Sequence, residues 1–183
     1  MGMGYRLNKT VVLVGMMGAG KSAVGRVLAD ILDVPFLDSD AEIEHAANMT
    51  IPEIFARDGE PFFREREAQV ISRLLVEAPG ILSTGGGAYM QEANRAEIHD
   101  KGVAVWLDAD LDLLWSRVRH RDTRPLLRTP NPRATLSELY RKRVPIYALA
   151  ELRVRADPSY TLHDMARRVV KVLLNRPDVL EKT

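Results

Sequence analysis

The segment Gly15-Met16-Met17-Gly18-Ala19-Gly20-Lys21-Ser22 constrains this chain more than any other. A glycine, four residues and then Gly-Lys-Ser is the Walker A spacing. Before it runs the apolar stretch Val11 to Val14, and after it Val24, Val27, Leu28 and Ile31 recur at i, i+3, i+4 and i+7. The loop therefore joins a strand to a helix with one apolar stripe. In that setting glycines let the backbone curl so that successive N–H groups converge on phosphate oxygens, and the helix start adds its dipole and unpaired donors. Gly18, Ala19, Gly20, Lys21, Ser22 and Ala23 are the expected nucleotide-phosphate ligands. Lys21 should reach the β- and γ-phosphates, and the Ser22 hydroxyl should ligate Mg2+.

Four more short runs read as strands: Pro35 to Asp38, Ile81 to Thr84, Val103 to Leu107 and Leu152 to Ala156. Alternating with longer amphipathic stretches, they predict a parallel sheet covered by helices on both faces. With 183 residues, 46% of them hydrophobic, the chain has material for one core and one domain. Thr50 and Glu53 stand at capping-box spacing, and Gly59 and Pro61 then separate a short helix from a longer one through Val76. Thr161 and Asp164 repeat the spacing ahead of Leu162, Met165, Val169, Val172 and Leu173, a stripe expected to pack and do nothing chemical. The stretch from Arg117 to Arg133 is rich in arginine and proline with little apolar periodicity, and most of it is expected to be an exposed loop.

Charge and composition exclude several classes. Lys+Arg of 26 against Asp+Glu of 25 gives no bulk attraction for nucleic acid or an acidic membrane, so anion binding must come from local arrangement. The absence of cysteine removes disulfides, thiolate zinc sites and a catalytic thiol, and fits a cytoplasmic setting. No run approaches the roughly 20 apolar residues of a membrane span. A guanine reader of the Asn-Lys-x-Asp type is missing, since Asn8-Lys9 is followed by Val11 where the Asp belongs. His120-Arg121-Asp122 has the letters of a protein-kinase catalytic loop, but Leu127 replaces the required Asn.

A phosphate cradle does not identify what receives the phosphate. Asp38 and Asp40, two apart at the end of the second strand, can face one cleft at the carboxyl ends of the strands; the alternative is that Asp40 caps the following helix and Asp38 is solvated. Arg64 and Glu67 share a helix face at i, i+3. Gly85-Gly86-Gly87 follows a buried-looking strand, where three glycines would let backbone approach a ligand closely.

Together, the Walker A loop, Asp38-x-Asp40, Phe63-Arg64-x-x-Glu67, Gly85-Gly86-Gly87, Arg124-Pro125-Leu126-Leu127 and Arg143-Val144-Pro145-Ile146-Tyr147 resemble the shikimate kinases, in order and from about Val11 to Tyr147. The resemblance implies a P-loop NTPase-like α/β/α fold with a five-stranded parallel sheet. It also implies an acceptor region at about 38–90 and a mobile lid at about 117–133. It implies transfer of the ATP γ-phosphoryl group to the 3-hydroxyl of shikimate, with Mg2+ as cofactor. Arg64 and Arg143 would hold the shikimate carboxylate, Glu67 would orient Arg64, and the Gly86 and Gly87 backbone would donate to the ligand. Asp40 would take the hydroxyl proton, and Asp38 would hold Mg2+ through water. Lys21 and Arg124, the latter on the lid, would balance charge on the transferring group. Arg117 and Asp157-Pro158 would flank adenine. A monomer acting on ATP and shikimate, with no nucleic-acid or membrane partner, is expected. Asp108, at the end of a strand that looks like Walker B, is left as a turn or helix cap.

A kinase of the same architecture acting on another hydroxy acid, such as gluconate, is the nearest rival, because paired arginines serve any carboxylate. A nucleotide-binding module without turnover would keep the phosphate loop but have no reason for Asp40, Arg64, Gly86 and Arg143.

Overall fold

The computed structural model describes residues 4–120 and 127–183. Its centre is a five-stranded parallel sheet in the order β3-β4-β2-β5-β6. These strands are β2 (Thr10–Val14), β3 (Phe36–Asp38), β4 (Ile81–Ser83), β5 (Gly102–Asp108) and β6 (Leu152–Arg155). All five expected strands are present, each within two residues of its expected ends. Every residue of β2 and β5 is buried, as a parallel strand covered on both faces requires.

Helix α1 (Lys21–Leu32) buries Val24 and Leu28 and packs on α7 (Leu162–Leu173) and β4. Helix α2 (Ser39–Ala47) packs on α3 (Ile51–Leu75), which packs on α4 (Glu92–Lys101), itself set against β5. Helices α5 (Leu111–Val118) and α6 (Pro132–Tyr147) pack on each other. The chain places β3 and β4 on one side of β2 before crossing to β5 and β6 on the other. That reversal opens a crevice at the carboxyl ends of the strands, where open α/β sheets take ligands.

Both expected capping boxes form, at Thr50/Glu53 and Thr161/Asp164. The predicted punctuation within α3 is a kink: Gly59 has φ 84° and ψ 170°, a conformation reserved for glycine, and the helical course resumes toward Arg64 and Glu67. A short antiparallel pair, β1 (Tyr5–Leu7) with β7 (Leu180–Lys182), joins the two ends of the described chain and has no counterpart in the sequence reading.

The arginine-rich segment begins and ends in helix. Arg117 lies on α5, and Pro132 and Arg133 open α6, where Arg133 pairs with Asp112 at 2.9 Å. Arg124, with the rest of residues 121–126, lies outside the described residues. Among the described residues, no helix is long and apolar enough to cross a membrane.

Candidate active site

A cleft of ≈ 640 Å³ lies over the carboxyl ends of β2, β3 and β4, and the expected phosphate loop forms its floor from Met16 to Val24. Gly20 caps α1 at φ 93°, a left-handed position that glycine takes without the penalty other residues pay, so the N–H groups that open the helix face the cleft's anion position. The Lys21 ammonium bends back along the loop, Nζ donating to the carbonyls of Gly15 (2.5 Å) and Met16 (3.2 Å).

Asp38, Ser22 and Ser83 meet beside it. The Ser22 hydroxyl is 3.0 Å from Asp38 Oδ2 and 3.1 Å from Ser83 Oγ, Ser83 being paired in register with both Asp38 and Leu13 at the strand ends. The other Asp38 oxygen, Oδ1, accepts from the N–H groups of Asp40 (2.9 Å) and Ala41 (3.2 Å) and caps α2. Of the two alternatives for this pair, the cap is Asp38 rather than Asp40. Capping by Asp38 leaves the Asp40 side chain for the cleft.

Asp40 is largely enclosed. Burial pushes its carboxyl up to about 6, with the neighbouring Asp38 charge adding to the shift and Lys21 and Arg64 opposing it. Glu67 is 1% exposed, and desolvation raises it too, opposed by the charge and hydrogen bond of Arg64, whose Nη1 donates to Oε1 at 2.9 Å. That pair sits on the half of α3 beyond the Gly59 kink.

The three glycines after β4 bring the site together. A β-carbon on Gly85 would stand 2.8 Å from Asp40 Oδ1, one on Gly86 2.7 Å from Arg143 Nη1, and one on Gly87 2.5 Å from Arg64 Nη2. None of these glycines has positive φ. Their smallness, and not their backbone freedom, is what the fold uses: each makes room for a different charged side chain. Asp40, Arg143 and Arg64, from α2, α6 and α3, thus converge on one turn of backbone.

At the other end of the cleft, Arg117 Nη1 donates to the Gly18 carbonyl at 2.9 Å, and burial lowers the guanidinium's pKa from its usual value. The facing wall is Tyr160, Thr161, Leu162 and Met165. Pro158, expected beside adenine, is exposed and is not among the residues that line the cleft. The stripe on α7 packs along Met165, Val169 and Leu173 as expected, but its first turn also walls the cleft, a role that periodicity could not show because Leu162 is 47% exposed. Asp108 is neither turn nor cap. It ends β5 almost wholly buried, with Oδ2 accepting from Arg153 Nε (2.7 Å) and Arg155 Nη1 (3.2 Å), while Asp110 caps α5. A carboxylate so engaged is withdrawn from the cleft.

Sequence reasoning missed Ser83 and Tyr147 as site residues. Ser83 stood in the strand ending where a Walker B Asp would fall, and its partner Ser22 was the available clue. Tyr147 stands out in the sequence only as the last residue of Arg143-Val144-Pro145-Ile146-Tyr147, and its spacing of four from Arg143 on α6 is the signal that the two share a helix face.

A family model described as shikimate kinase matches residues 17–174. A curated protein of Ruegeria pomeroyi named shikimate kinase is 65% identical over 175 residues, which cover 96% of this chain and 90% of the relative. The solved structure of a shikimate kinase from Acinetobacter baumannii in complex with shikimate superposes with a TM-score of 0.85 at 38% identity, covering 91% of this chain and 93% of that one. A gluconokinase from Sinorhizobium meliloti superposes with a TM-score of 0.60 at 18% identity over 93% of this chain and 94% of that one, a likeness of fold alone.

Proposed function

The chain belongs to the shikimate kinase family, and from that membership we propose which of its residues carry the reaction. It is an ATP-dependent kinase that transfers the γ-phosphoryl group to the 3-hydroxyl of shikimate, giving shikimate 3-phosphate and ADP. The observation that carries the assignment of residues is the convergence of Asp40, Arg143 and Arg64 on Gly85, Gly86 and Gly87, beside the phosphate loop.

The triphosphate lies along Gly18 to Ala23, with Lys21 turning from the carbonyls of Gly15 and Met16 toward the β- and γ-oxygens. Arg117 and the Tyr160 wall hold the base end of ATP. Shikimate enters on the α2/α3 side. Its planar carboxylate suits two guanidinium forks, Arg64 and Arg143. Arg64 is fixed by Glu67, and its Nε is buried without a hydrogen bond, a donor that an anionic ligand satisfies. The Gly86 and Gly87 backbone donates to the ligand.

Asp40 accepts the proton of the 3-hydroxyl as the oxygen attacks phosphorus and ADP leaves in line. A carboxyl near 6 is mostly ionised at neutral pH yet basic enough to share that proton. Most of the rate comes from positioning and charge neutralisation rather than covalent chemistry. Lys21 contributes positive charge on the transferring group. Arg124, outside the described residues, is assigned the same task from the family resemblance.

Among the described residues no cluster of three or more His, Cys, Asp or Glu is arranged to hold a metal. Mg2+ asks for less: it keeps several waters and binds through one or two protein oxygens plus phosphates. Ser22 Oγ with Asp38 Oδ2 fits that description: Ser22 would hold the ion directly and Asp38 through water, and the ion would supply positive charge against the phosphates. The cytoplasm is the proposed location and a monomer the proposed state.

The gluconate reading shares the fold and the arginines, so the deciding experiment is a coupled ADP-release assay with shikimate and gluconate side by side. ADP release with shikimate at least about 10³-fold above gluconate in kcat/KM is expected, because a site built to hydrogen-bond one polyol pattern leaves buried groups unpaired with another. Comparable turnover of both acids would contradict the proposed acceptor site.

A further inference from the structure

Arg64 and Arg143 are held in different ways. Arg64 has a buried carboxylate partner, Glu67, at 2.9 Å. Near Arg143, one turn further along α6, stands a buried neutral group, Tyr147, 0% exposed and stacked on Trp106 with ring centroids 6.4 Å apart. The Tyr147 hydroxyl donates to the Gly86 carbonyl at 2.5 Å, and the Arg143 guanidinium acts on the same phenol. Both groups meet over Gly86: a β-carbon there would lie 2.7 Å from Arg143 Nη1 and 3.6 Å from the Tyr147 oxygen.

We propose that Tyr147 is a positioning residue of the acceptor site, its hydroxyl locking the Gly86 peptide and the Arg143 guanidinium into one arrangement. The proposal rests on the reading of Gly86 and Arg143 as acceptor-binding groups. A phenol has one hydrogen to donate and lone pairs to accept with. Giving the hydrogen to the Gly86 carbonyl fixes the plane of that peptide, and accepting from Arg143 orients the fork. A ring held by stacking on Trp106 keeps the hydroxyl from following either group if it moves.

The neutrality of Tyr147 also matters. A carboxylate in its place would cancel the Arg143 charge, as Glu67 partly cancels that of Arg64. With a phenol there, Arg143 keeps more of its charge for the ligand, Glu67 being the carboxylate that acts on both arginines.

Tyr147→Phe keeps the ring and removes only the hydroxyl. The proposal predicts a rise of about tenfold in the KM for shikimate, with the KM for ATP within about twofold of wild type, measured in the coupled ADP-release assay alongside Arg143→Ala. Combined with Arg143→Ala, it should raise the shikimate KM by less than the product of the two single effects, since part of what the hydroxyl does passes through the arginine and the rest through the Gly86 peptide. A purely structural tyrosine would lower the melting temperature and leave the two KM values in their original ratio. An unchanged shikimate KM in Tyr147→Phe, with a raised one in Arg143→Ala, would overturn the proposal and leave the acceptor site standing. An unchanged shikimate KM in Arg143→Ala itself would remove the acceptor site and the proposal together. If Tyr147→Phe does not fold, Tyr147→Met, which also lacks the hydroxyl, is judged by the same two outcomes.

Discussion

Asp40 shows how one residue's surroundings become chemistry. Raised by burial to about 6 in the folded protein, from 3.8 for a free carboxyl, it binds its proton more tightly folded than unfolded. Stability from this group is therefore fully present below pH 3.8 and lost as pH rises through about 6. Asp40→Asn, which mimics the protonated form, should be more stable than wild type by on the order of 2 kcal/mol at pH 8 and no more stable at pH 3.5, as read by urea denaturation. The same substitution should lower kcat by roughly 10²-fold or more. In wild type, kcat/KM should fall as pH drops through about 6. A stability difference independent of pH would show that Asp40 is not enclosed as described. Glu67 gives a second residue-scale test. Arg64→Ala leaves its buried carboxyl without a partner and should cost about 3 kcal/mol, and adding Glu67→Gln should restore part of that loss. A double variant less stable than the single would contradict the pairing. Asp40, Arg64 and Glu67 were all legible as letters in the sequence. Which aspartate caps the helix was not, because Asp38 and Asp40 both stand where a cap is chemically reasonable.

Elements place these residues. The kink at Gly59 sets the direction in which the second half of α3 carries Arg64 and Glu67 toward the glycine turn. Gly59→Ala should cost about 1–3 kcal/mol through its disfavoured backbone angles and raise the KM for shikimate without changing that for ATP. Wild-type stability in that variant would show that α3 bends without needing glycine there. Strand ends make the other assignment. β3 delivers Asp38 beside Ser22, whereas β5 delivers Asp108 into the grip of Arg153 and Arg155. Asp38→Asn should therefore raise the Mg2+ concentration needed for half-maximal rate, and Asp108→Asn should chiefly lower thermal stability. Greater loss of Mg2+-dependent activity in Asp108→Asn would reverse the two roles. The sequence pattern located every strand of the main sheet, most directly β2 and β5, whose apolar runs are rich in valine. It missed β1 and β7, which at three residues each are too short for any alternation to separate them from loop. It did not mark the helix ends that bound the arginine-rich stretch, since polar helix ends such as Arg117 and Arg133 lack the periodicity that marks helix interiors.

At the scale of the whole molecule, the sheet order creates the crevice, the phosphate loop supplies one half of it, and α2, α3 and α6 supply the other. Walker A spacing made the first half readable directly, since six of its residues are consecutive. The second half draws on Asp40, Arg64, Gly86 and Arg143, spread over more than a hundred positions, and no local pattern says that they meet. Only the resemblance joined them in sequence, and the fold joins them in space by giving each long side chain a glycine to lie against. Lys21 accordingly belongs to a transfer site, with an acceptor across from it, and not to a nucleotide anchor alone. The crystal structure of the enzyme with ADP, Mg2+ and shikimate tests this most directly. The shikimate carboxylate is expected within hydrogen-bonding distance of both Arg64 and Arg143, and its 3-hydroxyl within the same distance of Asp40. A carboxylate bound elsewhere, with Arg64 and Arg143 untouched, would contradict it.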